Sequence, residues 1–294
     1  MKPLFVPLKQ RFTLESFKRG WYRFKRNPTS LVGFAIVTSI LLLAILAPWV
    51  VPYPEHVKPF VDFANANQPP TWRHPFGTDS VGRDIFTRTI YGYRMSLTLV
   101  VVVLSIAVPV GVVLGLVAGY FGGWIETIIM RSTDIFLSLP PLLMALAITA
   151  ALTPNIFNAM IAISAVWWTW HARLVHSIVS SLRNEDFVEA SSVIGAGTFH
   201  TLFKEILPNC VSAIIVKITL DAGYVILIGA GLSFLGLGVQ PPKPGLGTMV
   251  AKGTEYLPDL WWEPVFPGLA ILIAILGFNL LGDGLRDFFD VEEV

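Results

Sequence analysis

The sequence contains few charged residues. Only 14% of its 294 residues are Asp, Glu, Lys or Arg, against about 25% in an average soluble domain, and 54% are hydrophobic. This composition disfavours a water-soluble domain. The 21 basic residues are balanced by 20 acidic residues. Because no cationic excess remains to neutralise the phosphates of a nucleic acid, the composition excludes nucleic-acid binding.

The sequence also lacks the patterns of cofactor sites and catalytic centres. Its single cysteine, Cys210, cannot form an intrachain disulfide or a thiolate cluster. His171 and His176 are five residues apart, whereas helical metal ligands are typically three or four apart. No phosphate-binding Gly-x-x-x-x-Gly-Lys-Ser/Thr loop and no catalytic triad or carboxylate pair is present. We therefore expect no cofactor, no metal, no ATP hydrolysis and no catalysis by this chain.

Long uncharged runs dominate the rest of the sequence. A bilayer core about 30 Å thick requires about 20 apolar helical residues. The longest run, from 135 to 172, contains a Thr-Pro-Asn turn signal at 153–155 and is therefore divided into two spans. The predicted spans are residues 31–51, 95–118, 136–153, 156–175, 210–235 and 264–282. Lipid tails offer no hydrogen-bonding partners to backbone N–H and C=O groups, so these groups must pair within helices. The sequence therefore predicts an all-α membrane protein with six transmembrane helices.

The basic residues indicate the orientation. Residues 1–30 carry eight Lys and Arg residues against one Glu, so the positive-inside rule places the N-terminus in the cytoplasm. Four arginines in the first external loop oppose this rule, but two Asp residues partly balance them. Six crossings return the C-terminus to the cytoplasm. The predicted organisation is a basic segment (1–30), a first transmembrane helix (31–51), an extracytoplasmic loop (52–94), a transmembrane core (95–283) and a cytoplasmic tail (284–294).

Three glycines in the second predicted span share one helix face. Gly111, Gly115 and Gly119 are each four residues apart. This spacing allows the backbone of another helix to approach closely. The pattern predicts a helix-packing surface.

Ionisable residues inside predicted spans mark candidate pathway groups, because they are costly in lipid. Asp221 has two interpretations: it faces the transported solute and binds an amino group, or it lies shallow in the membrane and pairs with Lys217 four residues earlier. Arg131 and Asp134 lie at the cytoplasmic mouth of the third predicted span. They form either a gate or a local pair three residues apart.

The segment 183–208 is polar by the standards of this chain. It predicts an amphipathic helical hairpin, with one helix over 185–194, a break at Gly195 and Gly197, and a second helix that ends at Pro208. Such a hairpin either lies on the membrane surface or offers an apolar ridge to a partner protein. Few Lys or Arg residues occupy its polar face, which favours the protein partner.

This hairpin resembles a known loop. Glu-Ala-Ser-x-x-x-Gly at 189–195, followed by Ile-Leu-Pro at 206–208, resembles the E-A-A loop of permease subunits of binding-protein-dependent ATP-binding-cassette importers. Further strings resemble the second permease subunit of the dipeptide/oligopeptide/nickel group. They are FKRNP at 24–28, FGTDSVGRD at 76–84, MRSTD at 130–134, LSFLGLGVQPP at 232–242 and FNLLGDGLRD at 278–287. Ser191 replaces a usual Ala, and Gly229 stands where this group often has Glu.

The resemblance implies a six-helix fold of the type I importer class and a heteromeric assembly. Its partners would be a homologous permease subunit, two cytoplasmic ATPases and an extracytoplasmic solute-binding protein, with membrane lipid around the spans. The implied ATPase-coupling residues are Glu189, Ala190, Ser191, Gly195, Ile206, Leu207 and Pro208. The expected cargo is a di- or oligopeptide, although the group also carries nickel, glutathione or oligosaccharides.

A transporter driven by an ion gradient is the alternative function. It predicts several intramembrane carboxylates and inverted repeats with broken helices. The sequence offers one such carboxylate, Asp221, and no convincing repeat. The ATP-driven importer is therefore the favoured interpretation.

Overall fold

The computed structural model describes residues 14–289, and this part of the chain is helical without a β-strand. The helices are α1 (Leu14–Arg26), α2 (Pro28–Val50), α3 (Ile85–Phe121), α4 (Gly123–Leu137), α5 (Pro141–Ala150), α6 (Ile156–Leu182), α7 (Asp186–Val193), α8 (Thr198–His200), α9 (Leu207–Phe234), α10 (Leu246–Thr254) and α11 (Trp262–Phe289). Two 3₁₀ turns lie at Pro54–Val57 and Phe63–Asn65, and a π-helical turn lies at Thr201–Ile206.

Within residues 14–289, four helical segments are long and apolar enough, each as a single helix, to cross a membrane. They are Pro28–Val50, Ile85–Phe121, Thr198–Phe234 and Trp262–Phe289. They correspond to the spans predicted at 31–51, 95–118, 210–235 and 264–282, although the first and third end one residue earlier than predicted. The second begins ten residues earlier than predicted because Asp84 caps it: its Oδ2 accepts a hydrogen bond of 2.7 Å from the Thr87 backbone N–H.

The span predicted over 136–153 is not a single continuous helix. In its place α4 ends at Leu137, α5 begins at Pro141, and the two helices are bent by 87°. Proline has no backbone N–H and disfavours helical geometry in the residue before it, so the Pro140-Pro141 pair interrupts the helix. Hydropathy does not record the direction of the backbone, so it cannot reveal this bend. The two helices are long and apolar enough to cross a membrane only if they are taken together as one span.

Helix α6 begins at Ile156, as predicted, but extends beyond 175 to Leu182. The Asn155 side chain caps it by accepting a 2.8 Å hydrogen bond from the Asn158 backbone N–H. Its 27 residues make it about 40 Å long. Three Trp, two His and one Arg lower its mean hydropathy, so α6 is not among the four segments that are apolar enough to cross a membrane by composition alone.

The predicted end of a helix at Pro208 is also wrong. The chain is helical from Thr198 to Phe234, and Pro208 lies in the first turn of α9. Just before it, the Leu207 N–H bonds to the Leu202 carbonyl, five residues back. This wider π-helical turn lets the proline ring pass without ending the helix. The second arm of the hairpin is therefore the beginning of a membrane span.

The three glycines of α3 face α6. A Cβ atom on Gly111 would lie 2.6 Å from the His171 Cβ. On Gly115 it would lie 2.6 Å from the Ala172 carbonyl oxygen, and on Gly119 it would lie 2.7 Å from the Val179 Cβ. The two helices therefore approach more closely here than any larger residue would allow.

Residues 54–84 form a polar cap over the N-terminus of α3. The buried Asp84 carboxylate lies 2.9 Å from His74 Nδ1, and the Asp84 backbone N–H donates to His56 Nδ1 at 2.8 Å. The Arg88 guanidinium donates to the carbonyls of His56 at 2.8 Å and Pro242 at 3.3 Å. These bonds connect the cap to the loop that follows α9.

The substitution Gly115→Ala should destabilise the protein. The added methyl would meet the Ala172 carbonyl and the Val175 Cβ, which move only with the α6 backbone, so we expect a loss of about 1–3 kcal/mol. Thermal unfolding in detergent measures this loss. Gly268→Ala is the matched control, because only Val250 lies near, at 4.0 Å. The control should be neutral or slightly stabilising, and equal effects of both substitutions would contradict the packing surface.

The contribution of His56 to the stability of the cap should decline as the pH falls. Burial lowers the pKa of His56 below 6.5, against the opposing effect of Glu55. The unfolded chain then binds this proton more readily, so the His56 contribution declines as the pH drops from 6.5 toward the folded pKa, by at most about 1.4 kcal/mol per pH unit. Hydrogen exchange of residues 54–84 at pH 7.5 and 5.5 measures this decline.

The matched variant for this experiment is His56→Asn, whose amide oxygen replaces Nδ1 as an acceptor without titrating. Its cap should show a flatter dependence of stability on pH. If the variant and the unmodified protein respond identically, another group controls the cap.

Candidate functional site

The hairpin formed by α7 and the start of the following span is fixed to the protein along one face. Val188 of α7 is buried together with Leu202 and Ile206. Ser191 Oγ lies 3.2 Å from Thr201 Oγ1, which joins the two arms. This face positions the hairpin and leaves the opposite face free.

The free end of the hairpin carries large apolar side chains. Val193 is 80% exposed, Ile194 is 82% exposed and Phe199 is 75% exposed. We call these three residues the apolar tip. Glu189 and Ala190 are exposed beside it. An apolar patch at the end of a fixed hairpin is typical of a surface that another molecule covers.

Gly195 forms the turn of the hairpin and has a φ of +78°, in the left-handed region. The Gly195 N–H bonds to the Ser192 carbonyl and the Ala196 N–H bonds to the Ser191 carbonyl, both at 3.0 Å. This pair of bonds is a Schellman motif, which ends α7 and reverses the chain. A Cβ at Gly195 would meet nothing within 4 Å, so the backbone alone requires glycine here.

The other residues of the implied coupling loop lie away from the tip. Ile206 is fully buried, Leu207 is half-buried and Pro208 is exposed. They belong to the π-helical turn and the first turn of α9. The structure therefore separates the motif into two parts: residues 189–195 at the end of the hairpin, and residues 206–208, which lead into the membrane span.

A second cluster of polar residues lies inside the bundle. Asp221 is 1% exposed, and its Oδ1 accepts a 2.6 Å hydrogen bond from Lys217 Nζ. Its other oxygen lies 3.1 Å from Nε2 of His171, a fully buried residue of α6. The pairing with Lys217 agrees with the second interpretation of Asp221, but residue 221 lies near the middle of the helical segment Thr198–Phe234 and not close to its end. The sequence does not indicate the contact between His171 and Asp221, because only the tertiary packing of α6 on α9 brings these two residues together.

The predicted local pair of Arg131 and Asp134 is wrong. Asp134 forms an ion pair with Arg173 of α6, and the Arg131 side chain is exposed. Also on α4, Glu126 Oε1 lies 2.7 Å from His176 Nε2. An ion pair and a histidine–carboxylate contact therefore join α4 to α6. Within residues 14–289, no group of three His, Cys, Asp or Glu side chains is placed to hold a metal ion.

Comparison with known families identifies the class of protein. The model of the binding-protein-dependent transport system inner membrane component matches residues 111–291. The model of the N-terminal transmembrane domain of oligopeptide transport permease C matches residues 16–70. The chain belongs to the family of binding-protein-dependent transport system inner membrane components. It is a multi-pass permease of the inner membrane and a transport component that works with ATPase and solute-binding partners, rather than an enzyme.

Individual relatives match nearly the whole chain. The dipeptide transport system permease protein DppC of Alkalihalophilus pseudofirmus is 41% identical over 98% of this chain and 94% of the relative. The di/tripeptide transport system permease protein DppC of Pseudomonas aeruginosa is 42% identical over 93% of this chain and 91% of its own. The probable D,D-dipeptide transport system permease protein DdpC of Escherichia coli is 41% identical over 90% of this chain and 88% of its own.

Proposed function

We propose that this chain is one of two homologous permease subunits in an ATP-driven importer of di- or oligopeptides. The names of the relatives support peptides as the cargo. The observation that carries the proposal is the apolar tip, a rigidly held surface with no covering partner among the described residues. The family membership favours this function over transport driven by an ion gradient.

The proposed topology has six crossings with both termini in the cytoplasm. The crossings are α2, α3, the bent pair of α4 and α5, α6, the segment from 198 to 234, and α11. The packing of α1 on the C-terminal end of α11 supports placing both ends on one side. The Phe17 and Phe288 rings lie 5.3 Å apart, and Asn27 Nδ2 donates to Asp287 at 2.9 Å.

In the proposed assembly one of two cytoplasmic ATPases covers the apolar tip, and the other binds the homologous permease subunit. A solute-binding protein delivers cargo from the extracytoplasmic side. Because helix runs without interruption from Thr198 to Phe234, a displacement of the tip moves the part of the span that holds Lys217 and Asp221. ATP binding would thus bias the helices between two states rather than perform chemistry on the cargo.

The substitution Ile194→Asp should prevent ATPase binding. The side chain is 82% exposed, so the change places a charge on the apolar tip without disturbing the fold. We expect the amount of ATPase that copurifies with the assembly to fall about tenfold, as for loss of a central interface residue. Ser192→Asp, an exposed neighbour, is the matched control and should retain the ATPase. Normal copurification of ATPase with Ile194→Asp would contradict the docking surface.

The substitution Gly195→Val should uncouple ATP hydrolysis from uptake. Valine at a φ of +78° is strained, so the turn must rearrange and the tip must move. The measurement is the ratio of peptide taken up to ATP hydrolysed, in assemblies that contain all subunits. Gly197→Val is the control, because Gly197 has a φ of −71° and open space around it. Normal uptake by intact Gly195→Val assemblies would count against the coupling role.

A further inference from the structure

The charged residues at the centre of the span Thr198–Phe234 have no role in the ATPase-coupling surface. Lys217 and Asp221 lie near the middle of this 37-residue helical segment, where ionisable groups are costly. A purely structural link between α6 and α9 could have been made by apolar side chains at lower cost. The position of these two charges therefore points to contact with something that passes through the bundle.

Asp221 is not available to bind cargo. It is 1% exposed, and its two oxygens face Lys217 Nζ and His171 Nε2. A cargo amino group would have to displace the Lys217 ammonium and the His171 ring from an almost completely buried carboxylate. The first interpretation of Asp221, as the group that binds a cargo amino group, does not fit this geometry.

Lys217 is the member of the cluster that reaches the surface. Its side chain is 26% exposed, whereas His171 is fully buried. An ammonium group has three N–H donors, and the hydrogen bond to Asp221 uses one. Tyr224, seven residues later on the same helix face, is 55% exposed. Because a lysine ammonium avoids hydrocarbon at this depth, this face of α9 borders water or protein.

We propose that Lys217 binds the carboxylate of the transported peptide, and that Asp221 and His171 position it. Lys217 is then a specificity-determining residue within the pathway. The inference rests on the proposed function, because it assigns the cargo group that the importer recognises inside the membrane. The neighbouring Asp221 carboxylate weakens the attraction, which suits a site that must release its ligand.

The experiment uses the complete assembly in proteoliposomes with its solute-binding protein. The cargoes are trialanine and trialanine amide, which differ only in the terminal carboxylate. The loading of each peptide on the binding protein is measured separately, and the uptake rate is expressed per loaded binding protein. We expect the unmodified assembly to transport trialanine faster than the amide.

In the Lys217→Gln assembly, uptake of trialanine should fall about tenfold, the effect of losing a charge-assisted hydrogen bond, while uptake of the amide stays unchanged. The double variant Lys217→Gln/Asp221→Asn leaves no lone buried carboxylate and should lose the preference in the same way. Lys217→Arg should retain the preference. Lys18→Gln, an exposed lysine of α1, is the matched control and should behave as the unmodified assembly.

The proposal is overturned if the unmodified assembly shows no preference, if Lys217→Gln slows both peptides equally, or if it changes neither rate. It is also overturned if neither Gln-containing variant assembles, because Lys217 would then hold the subunits together instead of the cargo. Failure of the proposed function gives a different result: the unmodified assembly takes up neither peptide when ATP is supplied.

Discussion

The membrane offers no hydrogen-bonding partner to a protein, and this constraint determines how the helices of this chain meet. Backbone groups are satisfied within helices, so the remaining polar side chains must find one another. Helix α6 shows the result most clearly. His171 meets Asp221 of α9, while Arg173 and His176 meet Asp134 and Glu126 of α4.

The same helix also packs against the glycine face of α3. Gly111, Gly115 and Gly119 bring the two backbones together along the stretch that carries these polar side chains. One helix is therefore held by close backbone packing toward α3 and by contacts between polar side chains toward α4 and α9. The contacts with α4 and α9 contribute to the low hydropathy of α6, because the α6 residues that pair with the carboxylates of these helices are polar.

Much of this organisation follows from local sequence. Length and apolarity locate four spans, and the two glycines of the hairpin locate its break. The bend between α4 and α5 follows from the local Pro140-Pro141 pair, and the helix continues through Pro208 by way of a π-helical turn; a hydropathy count records neither feature. The pairing of Asp134 with Arg173 depends on the tertiary packing of α4 on α6. At the candidate sites, the i,i+4 rule gives Lys217 as a partner of Asp221, whereas no spacing rule connects Asp221 to His171 on another helix.

The π-helical turn at Thr201–Ile206 connects the hairpin to the span that follows it and affects how the two are oriented. It contains one more residue than an α-helical turn of the same height, and each residue of an α-helix rotates the chain by roughly 100°. The extra residue therefore determines the direction in which the apolar tip points, about the helix axis, relative to the Lys217 side chain. Deleting one residue there would keep both surfaces chemically intact but point them in different directions, so the number of residues in this segment is constrained as strictly as their identity.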